Sequence, residues 1–172
     1  MEWLFTWLEN VRLVLTKPGK FFSKMPKKSI IEPLKFAGIN ITLYSILASL
    51  LSVPNLGSGL LDVFTKNLIG GALEILVMSI LVFLTMKFVG GKGSYEATMR
   101  VFCFSSATKL FQWIPFIGMI AGFYSLLYLN VVGLSYAHKV SKGRALLGVS
   151  TAIVLSIVYI FVVVAHLFGF RF

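Results

Sequence analysis

Residues 90–122 read GGKGSYEATMRVFCFSSATKLFQWIPFIGMIAG, a glycine-rich turn leading into a half-polar helix, set among runs that are almost wholly apolar. The polar face of that helix holds Arg100, Ser105, Ser106, Thr108, Lys109 and Gln112. Hydrocarbon cannot satisfy such groups, so within a membrane the other helices must surround this segment and make it a buried central rod. The rest of the chain suits that setting. Apolar residues make up 58% of it and charged residues 13%, against roughly a quarter charged in an ordinary soluble domain.

Residues 1–15 place Trp3, Leu4, Trp7, Leu8, Val11, Val14 and Leu15 on one broad helical side, with Glu2, Thr6, Glu9 and Asn10 opposite. The segment is too short and too charged to cross a bilayer. Two tryptophans on the apolar side suit the headgroup level, which predicts an amphipathic helix lying at the membrane interface. It is not expected to be a cleavable signal, because acidic Glu2 and Glu9 stand where a basic n-region would be. Lys17-Pro18-Gly19-Lys20 ends the helix, Phe21-Phe22 offers a second apolar anchor, and Lys24, Lys27, Lys28 and Lys35 form a cationic run. Contact with an anionic lipid surface is therefore assigned to Trp3, Trp7, Lys17, Lys20, Lys24, Lys27 and Lys28. Each basic group near such a surface contributes about 1 kcal/mol.

Five spans are expected, at residues 36–53, 68–89, 98–114, 116–137 and 145–170. Pro54-Asn55-Leu56-Gly57-Ser58-Gly59 stops the first, and a short connection holding Asp62 and Lys66 leads to the second. Gly90, Gly91 and Gly93 form a turn after which Ser94 caps the polar helix, and Pro115 hinges it to the next. Gly118 and Gly122 have the GxxxG spacing that lets helices approach closely. The fold class is an all-α integral membrane protein, five transmembrane helices preceded by the interfacial helix, divided into a flank at 1–35 and a membrane domain at 36–172. Arg12, Lys17, Lys20, Lys24, Lys27, Lys28 and Lys35, then Lys87, Lys92 and Arg100, then Lys139, Lys142 and Arg144 all fall on one side of such a bundle, leaving Lys66, Lys109 and Arg171 toward the other. The positive-inside rule makes the crowded side cytoplasmic, with the N-terminus inside a cell membrane and the C-terminus outside.

Charge inside a span is costly, at least about 2.5 kcal/mol for an unpaired group. Glu74 and Lys109 both come out roughly 8 to 9 Å from the outer ends of the second and third spans, at 1.5 Å per residue, so they can pair. The same count brings Asn40 near Asn130, each roughly 9 to 12 Å from the inner surface, and an amide bond between them is expected. Arg100 beside Glu96 reads as an anchor at the cytoplasmic end, and with Gln112, Asn40 and Asn130 makes the set of polar helix-packing residues.

Chemistry is largely excluded. The only aspartate is Asp62, HExxH is absent, and Ser150 and His166 share one helix roughly 24 Å apart, too far for a triad. His138 and His166 lie toward opposite membrane faces and cannot share a metal. The lone cysteine, Cys103, can form neither an intramolecular disulfide nor a thiolate cluster. GGKGS lacks the P-loop pattern and its preceding strand. The net charge of +10 is spread between apolar spans, without the clustered basic and aromatic face of a nucleic-acid binder. No cofactor, metal or nucleic acid is expected.

Five stretches carry a resemblance: Lys17-Pro18-Gly19-Lys20-Phe21-Phe22, GGKGSYEATMRVFCFSS, Trp113-Ile114-Pro115-Phe116-Ile117-Gly118, Val132-Gly133-Leu134-Ser135-Tyr136-Ala137 and Ser141-Lys142-Gly143-Arg144-Ala145. In order and spacing they resemble the Yip-type family, the Ypt/Rab-GTPase-interacting membrane proteins, in its prokaryotic branch. The resemblance implies five spans, a cytoplasmic N-terminus, self-association and a role in membrane organisation or trafficking without catalysis. A Rab-type GTPase partner is not expected, since the chain lacks the long N-terminal region and DLYGP-like segment of eukaryotic members. The expected function is non-enzymatic organisation of the bilayer or recruitment of partners, including anionic lipid, a second copy or another membrane protein. The alternative is a small ion or solute transporter, channel or lipid-translocating protein using the polar third helix with Glu74 and Lys109.

Overall fold

The computed structural model describes residues 2–25, 29–56 and 59–167, and among these the chain is helical with no strand. Lys27, Lys28 and Arg171 lie outside the described residues, as does the side chain of His166. Helix α1 (Glu2–Thr16) breaks at Lys17, and Pro18 opens α2 (Pro18–Ser23) at its first position, where a missing N–H costs nothing. Helices α3 (Ile31–Leu56) and α4 (Leu60–Phe88) follow and pack against each other. The expected connection holding Asp62 and Lys66 is helical instead. It forms the first turns of α4, where Lys66 Nζ lies 2.7 Å from Asp62 Oδ2 across one turn.

Ser94 accepts a hydrogen bond from Ala97 N and caps α5 (Tyr95–Ser105). A 3₁₀ turn at Ser106–Thr108 tightens the run before α6 (Lys109–Gln112). The cause is local. Ser106 Oγ donates to Cys103 O at 2.6 Å and Thr108 Oγ1 to Ser105 O at 2.9 Å, and such back-bonding bends a helix. After a turn at Pro115 and Phe116 the chain returns through α7 (Ile117–Tyr124), a π-helical segment at Ser125–Leu129 and α8 (Asn130–His138), then ends in α9 (Lys142–Leu167).

Every residue from Val101 to Lys109 is buried, with Arg100 just before them. The polar rod is the axis of the bundle, packed by α3, α4 and α8. Four helical stretches among the described residues are long and apolar enough to cross a membrane: Ile31–Leu51, Leu60–Phe88, Ile117–His138 and Lys142–Val163. The span expected at 98–114 is not one of them. Its serines, two threonines and two cations are buried against protein, so its composition lacks the hydropathy that a lipid-facing helix needs.

Helix α9 packs on the bundle through its first half. Ala145, Val149 and Ala152 are buried, and a Cβ on Gly148 would come 2.7 Å from Met86 Sδ. Beyond Ser156, whose hydroxyl lies 3.9 Å from Met78 Sδ, Val158, Tyr159 and Val162 are exposed.

Candidate functional site

The polar side chains of the rod sort into three groups. Nearest its start, Arg100 is 5% exposed and its Nη2 lies 3.0 Å from Glu96 Oε2, one turn back. Its Nε has no hydrogen-bond partner. Arg100 is therefore drawn into the bundle, with only its acidic partner at the surface.

In the middle, Asn40 of α3 donates Nδ2 to Ser106 Oγ at 3.1 Å and accepts from Trp7 Nε1 at 3.2 Å. The expected amide bond from Asn40 to Asn130 does not form, and Asn130 Oδ1 is left buried without a partner. A depth count orders groups along the membrane normal, but it does not say which helices are neighbours. Here α1 supplies the partner. It crosses the bundle from α3, where Trp7 bonds Asn40, to α7, where Tyr124 Oη donates to Leu15 O at 2.7 Å. Trp7 thus bonds to protein through its indole N–H while staying partly exposed, and Val14, two turns on, is fully buried. Trp3, Leu4, Phe5 and Leu8 remain exposed, as do Lys17, Lys20 and Lys24.

Farthest along, Lys109 Nζ lies 2.7 Å from Glu74 Oε2, the lysine 7% exposed and the glutamate 59%. The Lys109 ammonium also sits 5.4 Å from the centre of the Tyr44 ring, a cation–π contact that no pattern in the sequence announces. Beside this pair a cavity of about 400 Å³ opens between α4, α6 and α7. Gln112, half-buried, lines it together with Ser105, Ser125 and Asn130. Among the described residues no cluster of His, Cys, Asp or Glu is placed to hold a metal.

At the opposite end of the rod the glycine turn encloses His138. Lys92 N donates to His138 O at 3.0 Å, and Thr98 Oγ1 lies 2.7 Å from the ring Nε2. A Cβ on Gly91 or Gly93 would approach the ring to 2.7 or 2.9 Å, which is why those positions carry glycine. Helix α2 packs on α8 here, with Gly19 facing Tyr136 Oη and Phe22 against Gly133. The stretches 17–22, 91–101 and 132–138, far apart in sequence, meet at this end. A family model described as the Yip1 domain matches residues 12–164. The chain belongs to the Yip1-domain family. With its four apolar helices, that makes it a membrane protein. Neither the curated proteins nor the solved structures hold a significant match to this Yip1-domain chain.

Two features of the Yip1 domain escaped the sequence reading. Thr98 carries no motif that pairs it with a histidine forty positions on. The π-helical segment at Ser125–Leu129, which precedes Asn130 at the cavity, has no residue signature. Such segments recur at functional sites.

Proposed function

We propose that this Yip1-domain protein is a non-enzymatic organiser of the bilayer, with five spans once the shielded rod is counted, its N-terminus cytoplasmic in a cell membrane. The reading rests on one observation: α1 is fastened to the bundle by Trp7, Val14 and Leu15, yet Trp3, Leu4, Phe5 and Leu8 are left uncovered. A helix held at a fixed place with bare apolar side chains acts as a wedge in one leaflet, stabilised by about 25 cal/mol for each Å² it buries in lipid. Exposed Lys17, Lys20 and Lys24 add attraction to anionic headgroups. Lipid, a second copy or another membrane protein is the partner class on this reading.

The carrier alternative needs a polar path through the bundle. Phe102 lines the cavity beside Glu74, and Val101, Cys103 and Leu129, next to lining residues in the chain, are fully buried. That burial supports the organising role. Deleting α1 and α2 is a poor test, because Val14, Phe21 and Phe22 are core residues. Exchanging Trp3, Phe5 and Leu8 for serine leaves the docked face whole. In anionic liposomes the native protein is expected to give smaller, more curved vesicles than this triple variant, by electron cryomicroscopy. Equal vesicle sizes would remove the wedge.

A further inference from the structure

The cavity beside Glu74 and Lys109 is more than a packing fault. Two residues that line it, Asn130 and Ser105, are 3% and 2% exposed, and their Oδ1 and Oγ are buried without hydrogen-bond partners. Native proteins rarely leave such atoms unpaired, because each costs about 1 to 3 kcal/mol when it loses water and gains nothing. The space of about 400 Å³ lies within the range of small-ligand sites.

The walls say what would fit. Lys109 Nζ and Glu74 Oε2 present opposite charges 2.7 Å apart, so a simple anion would be repelled by the carboxylate and a simple cation by the ammonium. A molecule carrying both charges exchanges partner for partner and leaves neither group bare. Asn130 Oδ1 can only accept a hydrogen bond, as an ammonium requires, whereas the Ser105 hydroxyl can donate to a phosphate oxygen. Much of the lining is apolar. Met78, Met119, Phe123 and Leu126 are part of it, and Met119 and Phe123 are exposed. Helix α9 reaches Met78 through Ser156, and its residues 157–163 are exposed.

We propose that this cavity holds the headgroup of a zwitterionic phospholipid, its phosphate toward Lys109 and Ser105, its ammonium toward Glu74 and Asn130, and its first acyl carbons across Met119 and Phe123. The proposal rests on the cavity lying within the bilayer and is independent of the α1 wedge, which its test leaves untouched.

The test is native mass spectrometry of the detergent-purified protein, mixed with equal amounts of phosphatidylethanolamine and phosphatidylglycerol of the same chains, and separately with free phosphoethanolamine. The native protein is expected to retain the ethanolamine lipid about tenfold over the glycerol lipid, the discrimination that one charged hydrogen bond provides. Gly122 borders the mouth, and a Cβ there meets only Gln112 Nε2 at 3.9 Å, so Gly122→Leu fits the helix and fills the space. Gly122→Leu should lose the bound lipid. Glu74→Gln should reverse the preference toward the glycerol lipid in the protein that remains folded. Equal retention of both lipids by the native protein, undiminished retention in Gly122→Leu, unchanged preference in Glu74→Gln, or capture of free phosphoethanolamine as firmly as the lipid would each overturn the proposal.

Discussion

Opposite charges inside an apolar bundle are the sharpest residue-level feature. Removing one partner of a buried pair strands the other, a loss of 3 to 5 kcal/mol where both are enclosed. Glu74 is 59% exposed while Lys109 is 7%, so we expect Glu74→Gln to lower stability by roughly 1 to 3 kcal/mol. Adding Lys109→Met should then restore most of that loss, since the stranded charge is gone. Thermal unfolding of the two single variants and the double variant in detergent checks this, and losses that simply add would show the two groups are uncoupled. Phe116 is the other residue to test. With φ 62° and ψ −55°, and Ile117 N donating to Pro115 O at 2.7 Å, it centres a γ-turn of the rare positive-φ kind. A phenylalanine there is strained by about 1 to 2 kcal/mol. Because the ring is 81% exposed, Phe116→Gly is expected to raise the unfolding midpoint, and a fall would mean the ring contributes more than the turn costs. The Glu74–Lys109 contact was legible from spacing because both helices were long enough to count along. The Asn40 partners were not, since Trp7 reaches Asn40 from a helix that the count had placed outside the bundle.

Helices meet here through glycine. A Cβ on Gly133 of α8 would stand 2.5 Å from Val101 Cγ1 of α5, and one on Gly71 of α4 would stand 2.9 Å from Ile41 Cγ2 of α3. Overpacking at such a crossing costs about 1 to 3 kcal/mol. Gly133→Ala is therefore expected to lower the unfolding midpoint markedly. Gly38→Ala, where nothing lies within 4 Å, should leave it unchanged or raise it slightly. Equal effects of the two would contradict the close α5–α8 contact. Helix existence and order were readable from the apolar runs, the proline breaks and the Ser94 cap. The GxxxG pair at Gly118 and Gly122 was readable as a motif but not as a contact: Gly118 packs on the Gln112 carbonyl at its own corner, and Gly122 borders the cavity. The start of α4 was missed because Asp62 and Lys66 look like loop residues until they are seen as an i,i+4 pair.

At the scale of the whole molecule, a polar rod is enclosed at one end by α2, α8 and the glycine turn, and borders an open cavity at the other. The sequence showed that the rod must be shielded, because its polar face is as long as the helix itself. It did not show that α1 would join the shield, since an amphipathic pattern reads alike whether its apolar side meets lipid or protein. The central claim is that the rod crosses the membrane with its neighbours. Single cysteines in a Cys103→Ala background, at Lys92 before the rod, at Phe116 after it and at Lys142 before α9, test it with a membrane-impermeant thiol reagent. The account predicts labelling of Phe116→Cys from the outer side only, and of Lys92→Cys and Lys142→Cys from the cytoplasmic side only. Labelling of Phe116→Cys and Lys92→Cys from the same side would contradict it.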